Sequence, residues 1–124
     1  MKKFFAVMFL AGALILIGQS NSVEASDVYV GTYDSGYDAY LMTESIRGDY
    51  NSKFNEYGAY YCTIKAVGGS DVIYVDYSFH NVRRETALQS AAWRFKNSQG
   101  FDGVVGAGTP IERTTLNYLL RNYR

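Results

Sequence analysis

The sequence predicts an α+β domain: a mostly antiparallel sheet of five or six strands with a C-terminal helix packed on one face. Three observations carry this expectation. Residues 59–67 and 71–79 alternate apolar and polar side chains with the period of two that marks a half-buried strand. Clusters of Gly, Asn, Asp and Ser punctuate the chain at short intervals, as hairpin connections do. Beyond residue 109 the apolar period lengthens to that of a helix.

The elements follow in order. Residues 27–33 read as a strand, with Val28 and Val30 alternating with Tyr29 and Gly31. Asp34-Ser35-Gly36 is a turn cluster, and residues 38–46 read as the second strand of a hairpin. Residues 47–58 are polar and hold Gly48, Asp49, Asn51, Ser52 and Asn55, so they read as a loop. In the strand at 59–67, Tyr60, Cys62, Ile64 and Ala66 share one face, and Tyr61, Thr63 and Lys65 the other. Gly68-Gly69-Ser70 links it to a strand at 71–79, where Ile73, Val75, Tyr77 and Phe79 oppose Asp76, Ser78 and, just beyond, His80. Residues 81–90 fit either a helical turn or a long loop, which leaves 81–91 without an assigned conformation. Residues 92–97 read as a strand, Asn97-Ser98-Gln99-Gly100 as a turn, and 101–105 as a last short strand. Thr109-Pro110-Ile111-Glu112 has the pattern of a capping box with Pro at the first helical position. Ile111, Thr115 and Leu119 then form a stripe flanked by Leu116 and Leu120.

The N-terminus has the layout of a secretory signal peptide. Met1-Lys2-Lys3 is basic, residues 4–17 are an uncharged apolar run, and Val23-Glu24-Ala25 offers small residues for cleavage before Ser26. The apolar run falls short of the roughly 20 residues a membrane span needs. The expectation is export, to the periplasm or beyond, with residues 1–25 removed and 26–124 left as one small domain without stable membrane insertion.

That domain would carry 10 basic and 11 acidic residues, a balance with no general attraction for nucleic acid or anionic lipid. Cys62 is the single cysteine, so stability must come from the core rather than from an internal disulfide. All 12 tyrosines follow the leader. Such a sequence fits aromatic cross-strand pairs in a β-rich domain, or an exposed sticky face for binding.

No catalytic, cofactor or metal motif emerges. His80 is the only histidine; Asp76, Ser78 and His80 share a strand face, but neighbours on such a row stand roughly 7 Å apart, too far for a hydrogen-bonded triad. Cys62 lies on the apolar row, where a thiol is inert. One histidine and one cysteine make no zinc-ligand spacing. The glycines of 104–108 lack the third glycine and the following strand of a dinucleotide fingerprint. Asp76, inside an apolar run, faces either solvent or an arginine such as Arg94.

The chain resembles a small secreted bacterial domain type. The resemblance rests on Asp27-Val28-Tyr29-Val30-Gly31, residues 39–46, Tyr61-Cys62-Thr63-Ile64-Lys65-Ala66, Tyr74-Val75-Asp76-Tyr77-Ser78-Phe79, Trp93-Arg94-Phe95 with Asn97-Ser98-Gln99-Gly100, and Thr109-Pro110-Ile111-Glu112. More distantly, the order of strands and terminal helix is similar to the surface-adhesin protein E type, a family that binds host matrix proteins. The expected function is that of an exported, non-enzymatic binding or cell-envelope protein with a protein or glycan ligand. Tyr61, Tyr74, Asp76 and His80 are its candidate contact surface. The alternatives are a small secreted hydrolase using His80, favoured by a cleft that joins it to a carboxylate, and a secreted enzyme inhibitor.

Overall fold

A computed structural model describes residues 26–82 and 93–123. The leader expected at residues 1–25 and the helix-or-loop alternative for 83–90 lie outside the described residues.

Among the described residues, seven strands and one helix are formed: β1 (Asp27–Thr32), β2 (Asp38–Met42), β3 (Arg47–Asn51), β4 (Glu56–Gly68), β5 (Asp71–Asn81), β6 (Trp93–Asn97), β7 (Asp102–Val104) and α1 (Pro110–Asn122). They make one antiparallel sheet in the order β1-β2-β4-β5-β6-β7, with β3 paired to β4 beside β2. The fold class is the one the sequence predicts.

β4 is the template of the sheet. Its 13 residues pair along one edge with two short strands in succession. β2 takes residues Ile64 to Val67, and β3 takes Glu56 to Tyr61. A short 3-10 turn, Thr43–Ser45, carries the chain across the gap. Without a partner strand there, the backbone at Thr63 would lose a ladder bond. The Ser45 hydroxyl replaces it, accepting from the Thr63 N–H at 2.8 Å and donating to the Met42 carbonyl at 2.6 Å.

Two expectations are corrected here. The strand expected at 38–46 stops at Met42, and the loop expected at 47–58 shrinks to a turn at 52–55 between β3 and the start of β4. The residues that argued for a loop have other uses. Gly48 makes room for the ring of Tyr57, whose atoms would lie 2.6 Å from a β-carbon at that position. Asn55 takes the left-handed backbone conformation of the turn, with φ 56°.

The sheet's two faces are unequal. Tyr60, Cys62 and Ile64 on β4 stand opposite Phe79, Tyr77 and Val75 on β5, and all six are buried on the helix side. Phe95, Leu41 and Ala39 extend this core across neighbouring strands. Stacked rings run from Tyr57 to Tyr60 and from Tyr60 to Trp93, at 5.1 and 5.7 Å between centroids.

Helix α1 covers this face with Ile111, Thr115, Leu116 and Leu119 and packs against β1. Thr115 settles its buried hydroxyl on the Ile111 carbonyl at 2.8 Å. The Tyr60 hydroxyl bonds the carbonyl of Tyr123, tying the end of the helix to β4. A bulge in β1 lets the start of the helix approach. Val30 is the extra residue between the pairs Tyr29–Tyr40 and Gly31–Ala39. Gly31 adopts φ 141°, and a β-carbon there would meet Ile111 Cγ1 at 2.9 Å. The site therefore demands glycine twice, by conformation and by space.

The capping box is not formed. The Thr109 hydroxyl accepts from the Gly106 N–H at 2.9 Å, closing the turn before the helix rather than capping it. Glu112 turns inward, away from the helix start, and is buried. A burial partner on β5 outweighs the local cap.

Candidate functional site

Among the described residues, no element packs on the sheet face opposite α1. Cross-strand register aligns Tyr29, Tyr40, Lys65 and Tyr74 into one row across β1, β2, β4 and β5. Side chains directly opposite in a sheet are close neighbours, so the four stand in sequence across the strands, with exposed rings at the two ends of the row. Tyr29 and Tyr40 meet edge-to-face at 5.6 Å. Tyr29 and Tyr74 are 54% and 57% exposed, far more than core tyrosines such as Tyr60. The Tyr29 hydroxyl donates to Thr32 at 2.6 Å, and Thr32 donates to Asp38 at 2.8 Å, which tethers the ring at the sheet edge.

Lys65 lies within this row yet is only 4% exposed. Its ammonium bonds Asp27 Oδ2 at 3.0 Å. Burial of both charges makes the pair a structural commitment, since removing either partner takes away a compensating charge far from water.

Beside the row lies a shallow depression of about 440 Å³. Arg47, Thr63, Asp76, Ser78, Lys96 and Ser98 line it. The register places Arg47, Tyr61, Ser78 and Lys96 in a second row across four strands. Asp76 accepts a hydrogen bond from Thr63 at 2.8 Å, and its N–H donates to Ser98 at 2.9 Å. Of the two alternatives for Asp76, solvent is the one realised: it is exposed, while Arg94 stands opposite His80 and Val104.

All four candidate contact residues, Tyr61, Tyr74, Asp76 and His80, fall on this open face. They do not form one cluster. Tyr61 and His80 meet edge-to-face at 6.2 Å at one end of the β4–β5 pair. Tyr61 also donates to Asp49 at 3.1 Å, a bond that raises its pKa. Asp76 lies in the depression, and Tyr74 in the tyrosine row. His80 lines neither the depression nor the cleft described next; its cross-strand neighbours are Ala59 and Arg94.

A second, larger concavity of about 620 Å³ opens on the helix side. It lies between the 32–37 turn, β5, the 97–101 turn and the start of α1. At its back, Tyr77 donates to Glu112 Oε2 at 2.6 Å, and the Tyr33 and Tyr77 hydroxyls are 3.0 Å apart. With the Tyr77 proton committed to the carboxylate, Tyr33 must be the donor to Tyr77. Burial, reinforced by the bond to Glu112, raises the pKa of Tyr77; burial also raises that of Tyr33.

Sequence reasoning missed this relay, the Asp27–Lys65 pair and the Arg47–Lys96 row. The first was hidden because Glu112 fits a capping box so well. The others depend on register, which alternation alone does not supply. Among the described residues, no group of three His, Cys, Asp or Glu side chains gathers as metal ligands. Cys62 is buried, and its thiol pKa is pushed up to about 12 by burial, so it is a poor nucleophile at neutral pH.

The fold and site together define a small α+β protein in which, among the described residues, the helix covers one sheet face and no element covers the other. Comparison with protein-family models, curated proteins and solved structures finds no match.

Proposed function

We propose that the chain is an exported, non-enzymatic binding protein that docks a glycan on its open sheet face. The observation that carries this reading is the Tyr29–Tyr40–Lys65–Tyr74 row, with two exposed rings held on a rigid sheet. Tyrosine supplies broad contact area at low entropic cost, and a flat aromatic surface suits the C–H face of a sugar ring. The adjoining depression offers hydroxyl, carboxylate and cationic side chains to sugar hydroxyls without an apolar anchor pocket. Export is supported by the leader layout of residues 1–25.

The hydrolase alternative needs a carboxylate and a nucleophile around His80; among the described residues its cross-strand and ring neighbours are Ala59, Arg94 and Tyr61. Binding of the purified protein to immobilised glycan and extracellular-protein panels tests the proposal. Glycan retention abolished by Tyr29→Ala with Tyr74→Ala supports it. Retention unchanged in that double variant, or confined to proteins, overturns it.

A further inference from the structure

The helix-side cleft is a separate site, on the opposite face of the sheet from the tyrosine row. Its volume of about 620 Å³ falls in the range of roughly 300–1,000 Å³ typical of small-molecule pockets. Its walls have an unusual balance. Tyr33, Tyr37, Phe95 and Phe101 contribute aromatic rings. Ile73 and Phe101 present apolar surface to solvent there, Phe101 being 66% exposed. Asp34 stands at the exposed rim, and Glu112 is buried at the back. Among the described residues that line it, none is Lys, Arg or His.

Charge decides what such a cleft accepts. The start of α1 contributes roughly half a positive charge. Two carboxylates outweigh that, so the local field is negative. An anionic ligand would meet repulsion with no cation to pair with, and a neutral one would leave the carboxylates unused. The aromatic rings add their own attraction for cations through their electron-rich faces. The Glu112 carboxylate uses one oxygen on Tyr77 and retains further lone pairs, since a carboxylate offers about four acceptor positions.

We propose that this cleft binds an organic ammonium ion with an apolar body. The ammonium points toward Glu112, and the body lies on Ile73, Val75 and Phe101. The Tyr33–Tyr77–Glu112 relay fixes the carboxylate in place before the ligand arrives, which lowers the cost of binding.

The test is an NMR titration of the purified protein with three probes of matched shape: 2-phenylethylammonium, 2-phenylethanol and 3-phenylpropionate. The ammonium should produce saturable shifts at the amides of Ile73, Phe101, Gly108 and Ile111. It should bind at least about tenfold more tightly than the carboxylate, with the alcohol between them. Glu112→Gln, which retains an acceptor for Tyr77, should weaken the ammonium about tenfold and leave the alcohol unchanged. Asp34→Asn is the second variant, placed at the exposed rim; it should weaken the ammonium in the same direction by a smaller factor. Equal binding of carboxylate and ammonium, absence of saturable shifts, or ammonium affinity unchanged in both variants would overturn the proposal.

Discussion

Glu112 and Tyr77 share a 2.6 Å hydrogen bond inside the core, between the first turn of α1 and the middle of β5. It joins the last element of the fold to one of its central strands. A hydrogen bond to a charged group is worth about 1.5–3 kcal/mol. Tyr77→Phe should therefore destabilise by about that amount, measured by urea unfolding, because it removes the donor and leaves the buried acid without it. Glu112→Gln should cost less, since the amide oxygen still accepts. Equal loss in both would show that packing, rather than the bond, is at stake.

Alkaline pH should weaken the fold. Cys62 keeps its proton up to about 12 when folded, against an ordinary value of 9.0. Between those values the unfolded chain holds fewer protons than the folded one. Stability then falls as pH rises, by about 1.4 kcal/mol per pH unit for each such group. Tyr77 and Tyr33, also raised, add to the loss above about pH 10. Unfolding midpoints measured from about pH 8 to about pH 11 should show the decline. Cys62→Ala should remove the earlier onset and leave the later limb, and thiol reagents should label the native protein slowly.

Gly31→Ala should be among the most damaging small substitutions in the chain. It adds a methyl that meets Ile111 and forces a side chain into φ 141°. Overpacking typically costs about 1–3 kcal/mol, with the backbone penalty added. Pairing it with Ile111→Ala, which removes the clashing Cγ1, should recover only the steric part, leaving the melting temperature below that of Ile111→Ala alone. Full recovery would mean the backbone conformation carries no cost.

Lys65→Met should remove the ammonium paired with the buried Asp27 carboxylate and cost about 3–5 kcal/mol. Asp27→Asn combined with Lys65→Met should be markedly more stable than Lys65→Met alone. A double-variant cycle by chemical denaturation checks this. Additive losses would show that the two charges do not depend on each other.

Within α1, Leu119 is fully buried and Thr109 is a turn residue. Leu119→Ala should cost about 2–5 kcal/mol. Thr109→Ala should cost less, about 0.5–1.5 kcal/mol for a net hydrogen bond, and should leave the helix content seen by circular dichroism unchanged.

Alternation was enough to reveal β4 and β5, because both bury one row and expose the other. Tyr60, Cys62, Ile64, Val75, Tyr77 and Phe79 all face the core as their spacing implies. The helix was equally legible from Ile111, Thr115 and Leu119. β3 was not, since Gly48, Asp49 and Asn51 disfavour strands and are held there by pairing to β4. The face of Tyr61, Tyr74, Asp76 and His80 was legible for the same reason as the core. Their dispersal over that face was not, because it follows from cross-strand register. Glu112 illustrates the opposite error: a strong local pattern yielded to a tertiary partner, Tyr77.

Because α1 closes against β1, the ends of the described fold complete one another. The β4–β5 hairpin can form as soon as its own residues are free, from contacts close in sequence. Val30 and Gly31 must wait for Ile111, which comes near the end of the chain. A chain that is synthesised or threaded through a pore from its N-terminus cannot complete this core until the last helix has followed. Until then it remains incompletely folded, with the helix-side apolar surface of its first strands unshielded, and so depends on whatever keeps it from aggregating along the way.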